Sequence, residues 1–205
     1  MSNLACYEFT NLPIDIIDIL ENDVKDFNDK THTSELIDSS VNKDIRNSNN
    51  AWIPQSHWIA GWLWYYVQKT NNKNFCYDIT DIDGGTLQFT HYSQGQYYDW
   101  HQDGDIDLLN TPQVEVASGN NVGQEQAIIR GELVRKLSFS LQLSEPDSYR
   151  GGELEFLDNC GKPFFAPKQR GTMVIFDSRV RHRVREVKSG LRKSIVGWVV
   201  GPRWK

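Results

Sequence analysis

Apolar residues recur at helical spacing near the amino end of the chain. Ile16, Leu20 and Val24 fall on one face of a helix predicted over positions 11–27, with Asn11 as its cap. Hydrophobic residues at this spacing bury one face of a helix while the opposite face stays in water. We therefore expect this helix to lie against a sheet.

A second helix is predicted over positions 56–67, with Ser56 as its N-cap. Helices that lie on a membrane surface carry a basic face opposite the apolar one, and this stretch lacks it. We interpret it as a buried supporting helix. The polar connection between the two helices is expected to hold one short strand near Arg46. The apolar face of the second helix comprises Ile59, Trp62, Leu63, Tyr66 and Val67.

Beyond position 74 the pattern changes to short β-rich runs separated by turn residues such as Asp83, Gly84 and Gly85. Many short strands behind two helices indicate a mainly β protein with supporting N-terminal helices. The pattern indicates a double-sheet jelly roll buttressed by these helices. We predict a single domain over positions 1–205, with a helical support region at 1–74 and the β core at 75–205. The predicted strands occupy positions 75–82, 86–92, 133–143, 152–157, 171–176, 180–187 and 192–200.

Composition narrows the classes of partner and compartment. A formal net charge of -5 over 205 residues gives no general attraction to nucleic acid or anionic lipid. The 3 cysteines are far apart and lack metal-type spacing, which favours a reducing compartment over a disulfide framework or a zinc site. The chain lacks the pattern of a secretory signal and any apolar run long enough to span a bilayer. We expect a cytoplasmic protein without a membrane partner.

Three residues in two separate segments are candidate metal ligands. His101 and Asp103 are two positions apart, and such residues project from the same face of an extended segment, so both can reach one ion. His182 alternates with arginines and lies between Val180 and Val184, which predicts that its ring faces the buried side. Two imidazoles and one carboxylate are the ligand set of non-haem iron(II) oxygenases, and they leave coordination positions open.

Arg192 is a candidate anchor for an organic acid. It follows His182 by ten residues, with a predicted turn at Ser189 and Gly190 between them. We expect the chain to double back there, so that a second strand runs alongside the first and Arg192 faces the pocket. A guanidinium can hold a distal carboxylate through two parallel hydrogen bonds. A dicarboxylic keto-acid would then connect this grip to the metal.

Each of these features also has an ordinary explanation. A His-x-Asp triplet arises by chance in many proteins. A histidine between valines is more often a hydrogen-bonded core residue, and an arginine after a glycine is usually a solvated charge. Their order along the chain, all in strand context, favours a metal and keto-acid site over these alternatives.

Longer motifs around these residues resemble one family. Positions 92–103, Tyr-Ser-Gln-Gly-Gln-Tyr-Tyr-Asp-Trp-His-Gln-Asp, are similar to the Tyr, Gly, Tyr, His-x-Asp segment of 2-oxoglutarate oxygenases of the prolyl 4-hydroxylase-like, PKHD-type branch. Gly151-Gly152-Glu153 resembles the Gly-Gly-Glu turn of that branch, and the run from Gly171 to Trp198 resembles its terminal strands. The resemblance covers positions 86–202, more than half of the chain.

The resemblance implies that this jelly roll is a distorted, cupin-like double-stranded β-helix that binds Fe(II) through His101, Asp103 and His182. It also implies that Arg192 holds the far carboxylate of 2-oxoglutarate, the co-substrate. Ascorbate is a candidate additional reductant.

Two further residues are candidates for co-substrate binding by the same resemblance. Tyr92 is a candidate hydrogen-bond donor, although the spacing between the tyrosines is one residue shorter here than in the family pattern. Gln142 stands where some relatives place a tyrosine on the strand before the Gly-Gly-Glu turn. Further candidates for lining the pocket are Tyr98, Ser138, Ser140, Ser194 and Trp198.

The implied reaction hydroxylates an unactivated C–H bond with dioxygen and converts 2-oxoglutarate to succinate and carbon dioxide. By analogy with the family, the expected substrate is a prolyl residue of a peptide or protein. A free amino acid or another small molecule is the alternative, and a catalytically silent jelly-roll binding module is a third. Dealkylation of nucleic acid is disfavoured, because those oxygenases typically carry a second arginine where this chain has Trp198. The polar insertion at 104–131 is expected to be a flap over the substrate.

Overall fold

A computed structural model of the chain describes residues 5–8, 12–25, 32–33, 46–104 and 133–204. Its two α-helices are α1 (Ile14–Asp23) and α2 (Trp58–Thr70). α1 begins after Pro13 without a side-chain cap, and the predicted cap Asn11 lies outside the described residues. Within the described segments, no helix is both long and apolar enough to cross a membrane.

The predicted N-cap of α2 is wrong by one residue. His57, rather than Ser56, precedes the first turn in an extended conformation, and its ring Nδ1 accepts a hydrogen bond from the backbone N–H of Ile59 at 3.4 Å. The imidazole thus satisfies a backbone donor of the first turn, which is the task usually given to a serine or aspartate.

The strands in the described residues are β1 (Ala5–Glu8), β2 (His32–Thr33), β3 (Arg46–Asn47), β4 (Asn49–Pro54), β5 (Asp81–Ile82), β6 (Thr86–Tyr92), β7 (Tyr97–His101), β8 (Leu133–Gln142), β9 (Tyr149–Gly151), β10 (Leu154–Leu157), β11 (Pro163–Phe165), β12 (Met173–Asp177), β13 (His182–Val184), β14 (Val187–Gly190) and β15 (Arg192–Pro202). They form two antiparallel sheets and one short ribbon. The larger sheet has the order β1-β12-β8-β15-β6-β4-β2, with β5 pairing β15, and the smaller sheet has the order β11-β10-β13-β7-β3. A β14-β9 ribbon completes the set. This arrangement confirms the predicted jelly roll.

Two strand predictions were wrong in detail. Most of positions 75–82 is not a strand: the Asn71 side chain bonds both the backbone N–H and the C=O of Tyr77, and only Asp81 and Ile82 pair with β15. Positions 180–187 hold two short strands, β13 and the start of β14, which pair with different partners. Positions 1–74 supply strands β1 to β4 as well as the helices, and β3 is the short strand predicted near Arg46.

The predicted hairpin between His182 and Arg192 is also wrong. β15 pairs with β8 and β6 of the larger sheet, and not with β13. Gly190 turns the chain with φ of 81°, and a Cβ on it would lie 2.2 Å from the carbonyl oxygen of Ser148. Only glycine tolerates both conditions. The turn at Gly190 therefore lets the chain leave the ribbon strand β14 and enter the larger sheet as β15.

The two faces of the larger sheet carry different side chains. Its outer face packs with both helices in a core that includes Ile17, Leu20, Leu63, Val67, Phe139 and Ile195. Its inner face turns toward the smaller sheet, and a second cluster fills the space between them, including Tyr92, Leu154, Phe156, Val174, Phe176 and Val184. The site described below lies on this inner side.

Ion pairs fasten α1 to the strands. The Arg170 guanidinium lies 2.6 Å from Asp18 Oδ1 and 2.7 Å from Glu21 Oε2, and Lys193 Nζ contacts the other oxygen of Glu21. Burial alone would raise the pKa of Glu21, but hydrogen bonds from Lys193 and Arg170, together with their charges, hold it below its ordinary value.

Gly197 in β15 allows Phe139 to pack directly on the backbone. A Cβ at this position would lie 2.3 Å from Cζ of Phe139 and 3.0 Å from Cδ2 of Leu87. We expect Gly197→Ala to lower the free energy of unfolding by about 1–3 kcal/mol through overpacking, measured by urea denaturation. The control Gly61→Ala adds a methyl group to α2 where no atom lies within 4 Å, and it should stabilise by roughly 0.5–1 kcal/mol. An unchanged midpoint for the Gly197 variant would contradict the packing argument.

Candidate metal and co-substrate site

The three predicted metal ligands converge between the sheets. Antiparallel pairing of β13 with β7 sets His182 opposite His101, and Asp103 follows β7 directly. Asp103 Oδ1 lies 3.6 Å from Nε2 of His101, and its Oδ2 lies 3.4 Å from Nε2 of His182. The donor atoms all lie within 4.8 Å of one another, and the three residues form a group that could hold one metal ion.

Backbone carbonyls set the tautomer of both histidines. Nδ1 of His101 lies 2.7 Å from the carbonyl oxygen of Asp99, and Nδ1 of His182 lies 2.9 Å from that of Val180. A carbonyl oxygen only accepts hydrogen bonds, so each Nδ1 carries the hydrogen. Each Nε2 is left with its lone pair facing Asp103, the orientation that a metal ligand needs.

Aromatic walls hold these two rings in place. The Tyr98 ring stacks on His101 with a centroid distance of 3.5 Å and an interplanar angle of 15°. Phe176 contacts His182 edge-on at 4.7 Å, and Phe156 lies 5.8 Å from it on another side. Tyr98, predicted to line the pocket, therefore lies directly against a candidate ligand.

Asp103 is held as a carboxylate. Burial alone would raise its pKa, but His182, His101 and Arg135, with a hydrogen bond from Ser138, hold the pKa below its ordinary value. One carboxylate oxygen donor and two imidazole nitrogens on one side suit a divalent ion such as Fe(II). The residues present therefore fit the predicted metal.

One turn contacts both ligand segments. The carbonyl oxygen of Ser178 accepts hydrogen bonds from the N–H groups of Asp103 at 2.9 Å and Gly104 at 2.8 Å. The carbonyl oxygen of Arg179 accepts from the side-chain amide of Gln102. With the bond from His182 to Val180, the 177–180 turn touches the backbone or side chain of every segment that carries a ligand.

Arg192 lies buried at the start of β15, on the inner face of the larger sheet, and is 3% exposed. Its guanidinium carbon is 5.6 Å from the ring of Tyr92, its partner across the strands, and its Nη1 donates to Ser194 Oγ at 3.1 Å. It borders a small cavity whose other polar lining residues include Ser140, Gln142, Tyr149, Lys168 and Thr172.

Sequence reasoning missed Tyr149, Lys168 and Thr172. Gln142 donates a hydrogen bond to Tyr149 Oη at 2.9 Å, so a phenol reaches this cavity from β9. Burial raises the pKa of Tyr149 above its ordinary value, although the charge of Arg192 acts to lower it. The hydroxyl therefore stays protonated and can donate a hydrogen bond. Its position two residues before Gly151-Gly152 was the available signal.

Lys168 and Thr172 lie at the edge of the same cavity. The Lys168 ammonium sits 4.2 Å above the Tyr149 ring, and the buried hydroxyl of Thr172 has no hydrogen-bond partner within the described parts of the chain. An unpaired buried hydroxyl costs free energy, and a polar ligand in the cavity could relieve that cost. Of the remaining predicted lining residues, Ser194 accepts a hydrogen bond from Arg192. Ser138 bonds Ser178 near the metal end, and its cross-strand neighbour Trp198 packs with Trp52 and under Arg135.

The predicted flap at 104–131 lies outside the described residues except for Gly104. Gly104 approaches the turn so closely that a Cβ would lie 3.0 Å from that of Ser178. Of the residues predicted to have co-substrate or pocket roles, Ser140 and Gln142 line the Arg192 cavity. The roles of Tyr92, Gln142, Ser138, Ser140, Ser194 and Trp198 remain predictions.

Residues 87–200 match the family model of the 2OG-Fe(II) oxygenase superfamily. The chain belongs to this superfamily. Fe(II) and 2-oxoglutarate, which its name specifies, are the predicted cofactor and co-substrate. A PKHD-type hydroxylase of Rippkaea orientalis is 32% identical over 114 residues, covering 56% of this chain and 42% of that protein. One of Parvibaculum lavamentivorans is 44% identical over 63 residues, covering 31% and 28%. The matches thus span less than half the length of these relatives.

Solved structures show the same fold. A Pseudomonas putida prolyl-4-hydroxylase aligns with a TM-score of 0.67 at 19% identity, covering 98% of this chain and 94% of that one. A Trichoplax adhaerens prolyl hydroxylase, solved in complex with a hypoxia inducible factor peptide fragment, aligns with a TM-score of 0.71 at 17% identity, covering 97% and 84%. The resemblance to the prolyl hydroxylase-like branch is confirmed, whereas ascorbate and a cytoplasmic location remain predictions.

Proposed function

We propose that this chain is an Fe(II)- and 2-oxoglutarate-dependent dioxygenase that hydroxylates an unactivated C–H bond. His101, Asp103 and His182 hold the iron, and Arg192 holds the far carboxylate of the co-substrate. One observation carries the proposal: three metal-type donors and a buried guanidinium both lie beside the apolar cluster between the two sheets, whose members line the Arg192 cavity at one end and contact His182 at the other.

The spacing of the two half-sites supports this assignment. Leu154 and Phe156 alternate along β10, and the first lines the Arg192 cavity while the second lies beside His182. Val174 and Phe176 repeat the relation on β12. Residues two apart on a strand are separated by about 7 Å. This is the scale of a five-carbon diacid, so one molecule of 2-oxoglutarate can reach from guanidinium to metal.

The protein's own contribution is to bind, orient and exclude water. Arg192 offers paired donors to a carboxylate, Tyr149 offers a hydroxyl that stays protonated, and the apolar inner cluster keeps the reacting centre dry. When bound, the iron supplies the centre at which dioxygen reacts with the keto-acid. The balanced outcome is that one oxygen atom enters the substrate C–H bond, while 2-oxoglutarate takes the other and leaves as succinate and carbon dioxide.

The proposed substrate is a prolyl residue of a peptide or protein. PKHD-type relatives and prolyl hydroxylase structures support this class by analogy. The chain's own residues agree with it. Trp198 neighbours Ser138 across the strands, near the metal end, and its ring lies 6.5 Å from that of half-exposed Trp52. A pair of indoles at this position suits an apolar ring.

Metal and co-substrate binding can be read from a visible metal-to-ligand charge-transfer band on anaerobic addition of Fe(II) and 2-oxoglutarate. We expect the band in the unmodified protein and its loss in His182→Ala, because two donors no longer hold the ion. The matched control His57→Ala removes an imidazole that caps α2, and it should keep the band. A protein without any band would be the silent binding module.

Removing the Arg192 guanidinium should weaken co-substrate binding alone. We expect Arg192→Met to raise the Kd for 2-oxoglutarate about 10- to 100-fold, since charge-assisted hydrogen bonds are lost, with Fe(II) affinity unchanged. Lys193→Met removes the neighbouring charge, which points to Glu21 on the other face, and should leave the Kd near its original value. Titration of the charge-transfer band measures both, and equal effects of the two variants would refute the role of Arg192.

The substrate class is tested by mass spectrometry after aerobic turnover. With Fe(II) and 2-oxoglutarate present, we expect one oxygen atom to be added to proline-containing peptides, and no addition with His182→Ala. Proline-free peptides of matched length and free amino acids are the controls. Oxygen incorporated only into free amino acids or other small molecules would replace the prolyl assignment while leaving the dioxygenase assignment intact.

A further inference from the structure

A cluster of four side chains lies behind the 177–180 turn, on the side away from the candidate ligands. Its centre is Asp177, which is 1% exposed. Asp177 Oδ1 accepts from the backbone N–H of Arg179 at 2.8 Å and from its Nε at 2.9 Å, and Oδ2 accepts from Arg179 Nη2 at 2.6 Å and Tyr77 Oη at 2.6 Å. One carboxylate thus satisfies four donors and closes the turn on itself.

Trp204 packs against this arrangement from outside. Its ring lies 4.1 Å from the guanidinium carbon of Arg179 and meets the Tyr77 ring edge-on at 4.7 Å and 87°. Lys136 Nζ lies 3.5 Å from the same indole, and the Lys136 carbonyl oxygen accepts from the N–H of Ser178 at 3.2 Å. The indole therefore contacts Arg179 and Tyr77, the two residues that bond the Asp177 carboxylate, and it contacts β8 through Lys136.

The protonation states suit a permanent clamp. Burial alone would raise the pKa of Asp177, but the hydrogen bonds from Arg179 and Tyr77 lower it, so the group remains a carboxylate. Burial and the bond to Asp177 raise the pKa of Tyr77 to about 12, so the phenol remains a donor. Charge-assisted bonds of this kind are among the stronger ones in proteins.

The inner side of the same turn presents three carbonyl oxygens to the metal-binding segments. Those of Ser178 and Arg179 hold the backbone of Asp103 and the side chain of Gln102, and that of Val180 orients the His182 ring. Rotation of any peptide plane in the turn would therefore move the donors of two ligands relative to each other. The outer cluster is what prevents such rotation, because Asp177 bonds the backbone and side chain of Arg179 together.

We propose that the 177–180 turn is the template that sets the relative position of Asp103 and His182, and that Asp177, Tyr77 and Trp204 are positioning residues for the metal site. None of them is a candidate ligand or lines the Arg192 cavity. The inference rests on the proposed function, since it concerns the metal that these ligands would hold.

The test measures metal affinity rather than turnover. Asp177→Asn keeps the size of the side chain but removes its charge and replaces one acceptor by a donor. We expect it to weaken binding of Fe(II), and of Mn(II) followed by electron paramagnetic resonance, by about tenfold, the scale of lost outer-sphere support at metal sites. The charge-transfer maximum with 2-oxoglutarate should also shift, because the ligands around the ion are displaced.

Variants of Tyr77 and Trp204 test the same proposal if Asp177→Asn does not fold. Tyr77→Phe removes one hydroxyl, and we expect a smaller loss of metal affinity in the same direction. Trp204→Ala should weaken metal binding, whereas Trp204→Phe should restore it because a ring remains against Arg179 and Tyr77. The control Glu21→Gln removes a carboxylate that bonds Arg170 and Lys193 on the helix side of the larger sheet.

The control separates positioning from stability. Glu21→Gln should lower the urea midpoint and leave Mn(II) affinity and the band maximum unchanged. The proposal fails when all positioning variants bind metal as the unmodified protein does, or when Glu21→Gln weakens metal binding in proportion to its stability loss. A failure of the proposed function looks different, because the unmodified protein itself would then give no charge-transfer band.

Discussion

The antiparallel pairing of β13 with β7 is the contact on which the rest of the site depends, because it sets His182 opposite His101. Neither segment holds the full ligand set. Each imidazole takes its tautomer from a carbonyl two residues earlier in its own segment, and Asp103 enters from the turn that follows β7. A shift of one residue in this register would turn a ring to the opposite face of the sheet. The metal-binding group therefore depends on strand register.

The two sheets divide the work of the site. The smaller sheet carries both histidines on β7 and β13, whereas the larger sheet carries Arg192, Gln142 and the serines beside them on β8 and β15. Polar residues on an inner sheet face are costly unless they find partners. Here they bond one another, as Gln142 does with Tyr149, or border the cavity, as Thr172 does. The polar inner face of the larger sheet can bind one end of an organic acid, while the neighbouring apolar cluster keeps water from the other end, where the acid would react.

Local patterns predicted some elements well and others poorly. Strand 86–92 was predicted with its observed bounds. Positions 75–82 carry similar β-rich residues, yet Asn71 captures the backbone of Tyr77 and prevents pairing over most of the run. At the start of α2, Ser56 was the predicted N-cap because serine favours that position, but His57 is the residue that caps the helix. In each case a specific side-chain hydrogen bond outweighed a statistical tendency.

The sequence by itself determined the chemistry of the candidate ligands, because His-x-Asp spacing and the alternation of arginines with His182 are local properties of extended chains. The motifs around them also identified the family. Only the tertiary structure decided that β15 crosses to the larger sheet, that Tyr149 reaches the Arg192 cavity from β9, and that Asp177 closes the turn behind both ligand segments. These relations join residues far apart along the chain, and strand pairing, which a periodic pattern does not encode, brings them together.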